Sequence, residues 1–395
     1  MNLKKVVGGL LLSGFISYPN NTQEPNKQGY SGMEKDFGAY HTFEEVEKEI
    51  FSLKEKYPDL VTIEIIGSSW QKNPIYAVTV SDRDKLKKDG SREEQIIIQS
   101  SMHSRELIPV EVTLKMMDAL LKDYSKSEYK KGLVDNREII FIPVFNPDGL
   151  KKFEEIIEKE GRSTWRSWRK NCRDNNLDGK IEEYVDGVDL NRNFSVNFSG
   201  IGSDNVTNSP VYHGPKEGID NDGDGKTDED LLDYKDNDGD GLIVEDTAGG
   251  FTEPETIAFK NFVEGLENLV SFLDLHSCSG LILWPNGFTK EKTKDDDIFS
   301  YVGKAMADLQ NEPYTIGTIY TTIYPVSGDV CDWLYHEKNV LAITFEIYTC
   351  GEDSKYEDGI LGDFNPKQEN IDKHFYNNYG AILYFIDIAE KPKLK

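Results

Sequence analysis

The 395-residue chain has few basic side chains for its size. It carries 45 Lys and Arg against 71 Asp and Glu, which gives a formal net charge of −26. Because phosphate recognition needs a positive surface, this shortage argues against a nucleic-acid partner. Much of the acidic excess lies between Asp220 and Asp246.

Cysteines and long apolar runs are scarce as well. The four cysteines are too few for a disulfide framework and form no Cys-X-X-Cys pair. Outside the N-terminus no apolar run approaches the roughly 20 residues of a membrane span, so none is predicted. Residues 1–18 combine Lys4 and Lys5 with a short apolar core. This pattern predicts a signal peptide and a secreted or extracytoplasmic location, with an apolar N-terminal strand as the alternative.

Apolar residues make up 37% of the chain, enough to bury a large core. Residues 19–37 are polar and aperiodic and are interpreted as a linker, residues 38–390 as one domain and residues 391–395 as a tail. Strands alternating with helices predict an α/β fold, with a central mixed, mostly parallel twisted sheet flanked by helices. The predicted strands are residues 61–66, 74–80, 95–100, 138–144, 270–275, 281–284 and 340–346, the first two forming a hairpin. The predicted helices are residues 43–57 and 107–124, and others near 150–160, 253–270 and 297–311.

The turn after strand 95–100 carries the first candidate site residues. His103 and Glu106 follow the carboxyl end of this strand, where open α/β sheets bind ligands. An imidazole and a carboxylate three residues apart can share one cation, and this donor pair suits zinc. The alternative is a surface histidine and a helix-capping glutamate.

Two further strands end in residues of the same chemistry. His276 ends one apolar strand, and Glu346 ends another. If the strands before His103 and His276 are central and parallel, two imidazoles and one carboxylate meet and leave zinc an open position for water. Glu346 could then accept a proton from that water. The alternatives are an ordinary hydrogen-bonded histidine and a solvated strand-end glutamate.

Seven ordered motifs in residues 38–390 resemble those of zinc carboxypeptidases of the carboxypeptidase A and B group. The closest resemblance is to secreted bacterial carboxypeptidase T-like enzymes. The motifs are His103-Ser-Arg-Glu106, Asn146-Pro-Asp-Gly149, Trp168-Arg-Lys170, Gly187-Val-Asp-Leu-Asn-Arg-Asn193, His276-Ser277, Tyr324 eight residues before Asp332-Trp333, and Thr344-Phe-Glu346.

The resemblance implies a zinc-dependent metallo-exopeptidase, a hydrolase that removes C-terminal residues from peptides and proteins. One catalytic Zn²⁺ would bind His103, Glu106 and His276. Glu346 would be the general base for the zinc-bound water, and Arg169 would polarise the scissile carbonyl and hold the oxyanion.

The resemblance also implies how substrate is held. Asn191, Arg192 and Tyr324 would clamp the terminal carboxylate of a peptide, and Arg105 would line the outer subsites. A carboxylate clamp explains cleavage at a chain end, since only the end offers that anion. We expect a monomer. If the enzyme is exported, it should need no proteolytic activation, because the segment between the linker and the first strand is too short for an inhibitory prosegment.

The specificity pocket departs from the family pattern at Cys331, which stands just before the Asp-Trp pair. Asp329 could supply a negative charge while Val326 and Thr344 keep the wall partly neutral, which predicts cleavage of both apolar or aromatic and basic termini. Alternatively, Asp329 points to solvent. Cys278 either pairs with Cys350 or is a buried free thiol.

An acidic Asp/Gly insertion of about residues 199–250 contains two copies of Asp-Asn-Asp-Gly-Asp-Gly at a 16-residue offset. Acids that alternate around a tight turn suit Ca²⁺, so structural calcium loops are predicted here, with a solvated acidic loop as the alternative. The candidate ligands are Asp220, Asp222, Asp224, Asp228, Asp236, Asp238 and Asp240, with Asp174, Asn176 and Asp178 of a weaker copy upstream.

Two other functions stay open. The same zinc chemistry could act on a cell-wall peptide or an acyl-amino acid, although Asn191, Arg192 and Tyr324 favour an ordinary peptide end. An inactive calcium-dependent binding module is disfavoured because the metal ligands, Arg169 and Glu346 are all present.

Overall fold

Within the described residues, eight strands form one sheet in the order β1-β2-β4-β3-β5-β8-β6-β7. The structure is a computed structural model that describes residues 36–87, 89–162, 164, 166–175, 178–182, 186–198, 250–350 and 363–390. The strands are β1 (Val61–Ser68), β2 (Pro74–Val80), β3 (Glu94–Gln99), β4 (Arg137–Ile142), β5 (Leu269–His276), β6 (Leu281–Trp284), β7 (Thr315–Thr318) and β8 (Leu341–Glu346).

The sheet is mixed, as predicted. Four pairings are parallel, namely β3 with β4, β3 with β5, β5 with β8 and β6 with β7. Three are antiparallel, namely β1 with β2, β2 with β4 and β6 with β8. The first two strands form the expected hairpin, and the central strands β3, β5 and β8 run parallel side by side.

Apolar side chains pack on both faces of the sheet. On β3, Ile96 and Ile98 belong to one core and Ile97 to the other, as the alternation of side chains along a strand requires. Burial on both faces explains why the central strands are continuous apolar runs.

Helices cover the sheet, and every predicted helix is present. Helix Phe43–Lys56 begins with the expected capping box between Thr42 and Glu45. The others are Ile108–Asp123, Glu128–Val134, Pro147–Glu160, Pro254–Gly265, Asp296–Ala307, Ile319–Thr322, Val330–Lys338 and Ile371–Asp387.

Four helices and strand β7 were not predicted from the sequence. The longest, Ile371–Asp387, buries polar residues among its apolar ones, including His374 and Asn378. The Asn378 amide donates to the carbonyl oxygens of Ile347 and His374. Buried amides interrupt the apolar stripe that identifies a helix in a sequence.

Cys278 and Cys350 form a disulfide, which decides between the two states left open above. The two residues follow β5 and β8, which are paired neighbours in the sheet. Cys172 and Cys331 are buried free thiols.

Several predictions lie outside the described residues. These are the signal peptide, most of the linker, the tail, the insertion except Gly250, and calcium candidates Asp220, Asp222, Asp224, Asp228, Asp236, Asp238, Asp240 and Asn176. The boundaries assigned to those segments stay predictions. Of the described helices, none combines the length and apolar character that crossing a membrane requires.

A buried polar cluster attaches the segment around Asn171 to the start of helix Pro254–Gly265. The Asn171 amide donates to Glu253 at 2.7 Å and to Glu255 at 3.3 Å. Arg173 donates to Glu253 at 3.0 Å. The other carboxylate oxygen of Glu255 is buried and has no hydrogen-bond partner within the described ranges. Burial, and then the charge of Glu253, raise the pKa of Glu255 to about 8.

We expect Glu255→Gln to remove part of the pH dependence of stability. In the unfolded chain the carboxyl ionises near its ordinary pKa of 4.5, whereas in the folded chain it stays protonated until about pH 8. Its stabilising contribution is therefore complete below the lower pKa and falls as pH rises, by about 1.4 kcal/mol per pH unit between the two.

Urea unfolding of wild type and Glu255→Gln across this pH interval measures the difference. Glu264→Gln, on the same helix but exposed, is the control and should retain the wild-type slope. Equal slopes for Glu255→Gln and wild type would contradict the assignment.

Candidate functional site

His103, Glu106 and His276 converge at the carboxyl edge of the sheet. The first two lie in the turn after β3 and the third is the last residue of β5, which pairs with β3 in parallel. His103 Nδ1 lies 2.9 Å from one Glu106 oxygen, and His276 Nδ1 lies 3.0 Å from the other. All three side chains are buried, and their potential ligand atoms lie within 4.8 Å of one another. The structure thus brings the three predicted zinc ligands together.

Two aspartates orient the imidazoles. Asp189 Oδ1 lies 3.2 Å from His103 Nε2, and Asp274 Oδ2 lies 2.8 Å from His276 Nε2. An Nε2–H that donates to a carboxylate leaves the Nδ1 lone pair directed at the shared centre, the usual support for a metal-binding histidine. Sequence reasoning missed both aspartates as site residues. The available signals were Asp274, two residues before His276 on one strand, and Asp189 within the Gly187–Asn193 motif.

The electrostatics of the cluster favour a cation. Burial alone would raise the pKa of Glu106, but the two imidazoles outweigh it and hold that pKa well below its usual range. Burial likewise raises the pKa of Asp189, while Arg169 and His103 lower it further than burial raises it. Both carboxylates are therefore ionised within the buried site.

Arg169 is held beside this cluster by the same carboxylates. Its Nε donates to Asp189 at 2.8 Å, and its Nη1 lies 3.7 Å from Glu106. Its backbone carbonyl accepts from the Ser104 N–H at 3.3 Å, so its segment docks on the turn of the ligands. Asn146 strengthens this docking, because its amide donates to the carbonyls of Met102 and Lys170.

Glu346 lies next to the cluster at the end of β8. It pairs in register with His276 of β5, and its Oε2 is buried with no hydrogen-bond partner in the described part of the chain. Burial, and then the charge of Glu106, raise the pKa of Glu346 to about 7, although His276 and Arg169 act in the opposite direction. A carboxylate with that pKa is suited to taking and returning a proton near neutrality.

The residues of the predicted carboxylate clamp also have defined contacts. Arg192 Nη2 lies 3.5 Å from the Tyr324 hydroxyl, and its guanidinium lies 5.9 Å from the centre of that ring. Asn191 is fixed by a 3.0 Å hydrogen bond from the Val330 N–H. Gly328 has a φ of 65°, and a Cβ there would overlap the Arg192 carbonyl oxygen, so the close approach of these segments requires glycine.

Arg105 lies near Arg169, whose charge acts on it. Its guanidinium lies 4.0 Å from the centre of the Phe364 ring and donates to Ser167 at 3.2 Å. Burial, and then the charge of Arg169, lower the pKa of Arg105 to about 10. It remains a cation at neutral pH, as the predicted outer-subsite role requires.

Asp329 does not point to solvent, so that alternative is wrong. It is buried and begins helix Val330–Lys338, accepting the N–H groups of Cys331 at 2.8 Å and Asp332 at 3.2 Å. Burial raises the pKa of Asp329 to about 6 although Arg192 lowers it. The Cys331 thiol is buried and lies 3.3 Å from the Thr344 hydroxyl. The role of these residues in specificity stays a prediction.

The described part of the weak upstream calcium motif forms turn contacts and an ion pair between Asp178 and Lys180 at 3.8 Å. Asp174 accepts the Gly179 N–H and Asp178 accepts the Lys180 N–H, each at 2.8 Å. Calcium binding at this motif stays a prediction.

A buried cluster of two imidazoles and one carboxylate, at the carboxyl edge of a mixed α/β sheet, defines the chain as a candidate metallohydrolase. The chain belongs to the zinc carboxypeptidase family, whose sequence profile matches residues 46–380. This confirms the family resemblance found in the sequence.

Curated relatives are carboxypeptidases A. The chain is 27% identical to mouse (Mus musculus) carboxypeptidase A4 over 339 residues, 84% of this chain and 69% of the relative. It is 27% identical to pig (Sus scrofa) carboxypeptidase A1 over 320 residues, 80% of this chain and 64% of the relative. The chain thus spans about two thirds of the length of these relatives.

Solved structures share the fold. The carboxypeptidase A from Helicoverpa armigera matches with a TM-score of 0.65 and 23% identity, over 90% of this chain and 75% of that one. The bovine thrombin-activatable fibrinolysis inhibitor, solved with tick carboxypeptidase inhibitor, also gives 0.65 and 23%, over 89% of this chain and 98% of that one.

The residues present fit the zinc ion that the family implies. The donor set of two nitrogens and one carboxylate is the one that catalytic zinc prefers, and both Nδ1 atoms face the Glu106 carboxylate. Among the described residues, neither free cysteine, Cys172 or Cys331, belongs to the cluster of potential zinc ligands.

We expect Asp274→Asn to weaken zinc binding by about 10–100-fold, because the amide orients His276 without the negative charge that strengthens it as a ligand. Competition with a chelator of known affinity measures this change. Ser271→Ala on the same strand is the control, since its buried hydroxyl has no hydrogen-bond partner among the described residues. Unchanged affinity in Asp274→Asn would exclude the orienting role.

Proposed function

We propose that this chain is a zinc-dependent metallocarboxypeptidase that removes C-terminal residues from peptides and proteins. The observation that carries the proposal is the convergence of His103, Glu106, His276 and Glu346 at the ends of three adjacent parallel strands. Membership of the zinc carboxypeptidase family supports it.

His103, Glu106 and His276 would hold the zinc. When bound, zinc supplies a Lewis acid that lowers the pKa of a water and polarises a carbonyl oxygen. Asp189 and Asp274 keep the two imidazoles in the required orientation. The site therefore needs little rearrangement to accept the ion.

Glu346 acts as the general base and then as the general acid. Its buried, unpartnered oxygen is available to take a proton from the attacking water. The same carboxyl then delivers that proton to the leaving amine. The raised pKa of about 7 keeps both protonation states accessible near neutral pH.

Arg169 stabilises the charge that develops on the scissile carbonyl oxygen. Its ion pair with Asp189 fixes the guanidinium before substrate arrives, so little reorganisation is needed during the reaction. The pKa of Arg169 is raised because Asp189 and Glu106 outweigh the effect of burial. The charge of Arg169 is therefore permanent.

Asn191, Arg192 and Tyr324 bind the terminal carboxylate of the substrate. A guanidinium matches a carboxylate with two parallel hydrogen bonds, and only a chain end supplies that anion. This restricts cleavage to the last peptide bond. Arg105 would contact substrate residues further from the cleaved bond.

The remaining assignments concern the location of the enzyme, its structural calcium and its oligomeric state. A secreted or extracytoplasmic location is supported by the apolar segment 1–18 and by the Cys278–Cys350 disulfide, which persists in oxidising compartments. Structural calcium in the acidic insertion is supported by its repeated Asp/Gly phasing. We propose a monomer.

We expect Glu346→Gln to lower kcat on a blocked dipeptide by about 10²–10⁴-fold, the usual contribution of a general base. Zinc content, measured by metal analysis, should be unchanged because Glu346 is not a ligand in this scheme. Glu64→Gln, an exposed acid on β1, is the control for the change of charge. Near-normal turnover in zinc-loaded Glu346→Gln would exclude the mechanism.

We expect hydrolysis of peptides ending in Phe, Leu, Lys and Arg, with Asp329 supporting the basic ends. Asp329→Asn keeps a helix cap but removes the charge, so it isolates the electrostatic contribution. In Asp329→Asn, kcat/KM for Lys and Arg ends should fall about tenfold relative to Leu ends, as for a charge pair worth about 1.4 kcal/mol.

The same substrate panel tests the alternatives. A peptide ending in Glu is the negative control for Asp329. Rejection of every basic end by wild type would contradict the predicted breadth. Cleavage of only γ-linked, D-residue or acyl-amino acid substrates would instead favour the cell-wall or acyl-amino acid alternative.

A further inference from the structure

Three carboxylates meet at the end of β3 that lies away from the zinc ligands. Asp82 and Asp84 follow β2, and Glu93 immediately precedes β3. One oxygen from each of the three lies within 4.8 Å of the others. Since β3 rises about 3.3 Å per residue over its six residues, this cluster is separated from the turn of His103 by roughly 20 Å.

Glu93 is fully buried, and neither of its carboxylate oxygens has a hydrogen-bond partner among the residues that the structure describes. A buried carboxylate is normally paired or bound to a metal, because leaving the charge uncompensated in a poorly solvated place is costly. Burial, and then the charges of Asp82 and Asp84, raise the pKa of Glu93 to about 7. Glu93 is therefore a third acid beside Asp82 and Asp84, and their charges disfavour its ionised form.

In the described part of the chain, no neighbouring basic side chain forms an ion pair with the Glu93 carboxylate. Each is directed to another acceptor: Arg83 to the Val61 carbonyl at 2.6 Å, Lys85 to Glu138 at 3.8 Å, Lys87 to Glu94 at 2.5 Å, Lys131 to Asp135 at 2.6 Å, and Arg92 to Glu267.

We propose that Asp82, Asp84 and Glu93 form a calcium site. The cluster offers only carboxylate oxygens, the ligands of hard cations. Calcium binds oxygens at about 2.3–2.6 Å, so ligands on opposite sides of the ion lie about 5 Å apart, which agrees with the observed spacing. Asp84 is exposed, so water has access to complete the six to eight ligands that calcium takes.

The bound ion ties the connection between β2 and β3 to the amino end of β3. Asp82 and Asp84 each use one oxygen to accept a backbone N–H within this connection, from Asp84 at 3.2 Å and Leu86 at 2.9 Å. The ion then joins this turn to a residue of the buried core. Its effect is on stability, because the zinc ligands follow the other end of the strand.

Calcium counting on the full, zinc-loaded chain tests the site. Equilibrium dialysis against calcium chloride, followed by metal analysis, should give one calcium ion fewer per chain for Glu93→Gln than for wild type. Calcium should also raise the melting temperature less in the variant. Asp89→Asn, an exposed acid of the same connection whose carboxylate accepts from Ser91, is the matched control and should behave as wild type.

Without calcium, Glu93→Gln should melt at or above the wild-type temperature, because the substitution removes an uncompensated buried charge. A purely structural role for the carboxylate predicts the opposite shift. Asp84→Asn alters an exposed side chain, so it tests the site even if Glu93→Gln fails to fold. Equal calcium counts and equal calcium-induced shifts for wild type and Asp84→Asn would overturn the proposal, and so would the same result for folded Glu93→Gln.

Discussion

The parallel pairing of β3, β5 and β8 fixes where the candidate zinc ligands and Glu346 lie. The carboxyl ends of these strands share one edge of the sheet. His103 and Glu106 therefore meet His276 and Glu346, which come from two distant parts of the sequence. Strand register sets this geometry more tightly than a flexible loop could. The cores on both faces of the sheet hold that register, because a slip by one residue would move every apolar side chain of a strand to the wrong face.

Shared carboxylates couple the metal centre to the group that stabilises the oxyanion. Asp189 contacts His103 with one oxygen and Arg169 with the other, and Glu106 lies between two imidazoles with Arg169 nearby. Buried charges are tolerated when each has a partner, and here each partner also orients a reactive group. The same bonds that make these charges tolerable therefore pre-organise the site, and they hold the partly buried Arg169 in place.

The sequence predicted the strand ends well because apolar runs that stop at a histidine or an acid are readable without knowledge of the fold. The Cys278–Cys350 bond was left open, since it depends on β5 and β8 being neighbours across 72 residues. Asp329 was given two roles, pocket charge or solvated acid, but its contacts are those of a helix cap. That helix was not predicted, so its first residue could not be interpreted as a cap. Distant pairings and short helices depend on tertiary packing, which local patterns do not encode.

The two ends of β3 offer different types of metal ligand, and this difference would determine which metal ion binds at each end. At the carboxyl end, imidazole nitrogens join a single buried carboxylate, a set that suits borderline-soft zinc. At the amino end only carboxylate oxygens meet, and one of the three residues is exposed. Calcium gains little from nitrogen ligands and needs more oxygens than the catalytic cluster offers, whereas zinc gains most from the imidazoles. Ligand type therefore directs each ion to its own end of the strand. Calcium would therefore stabilise the β2–β3 connection without occupying the open coordination position of the zinc, which catalysis requires.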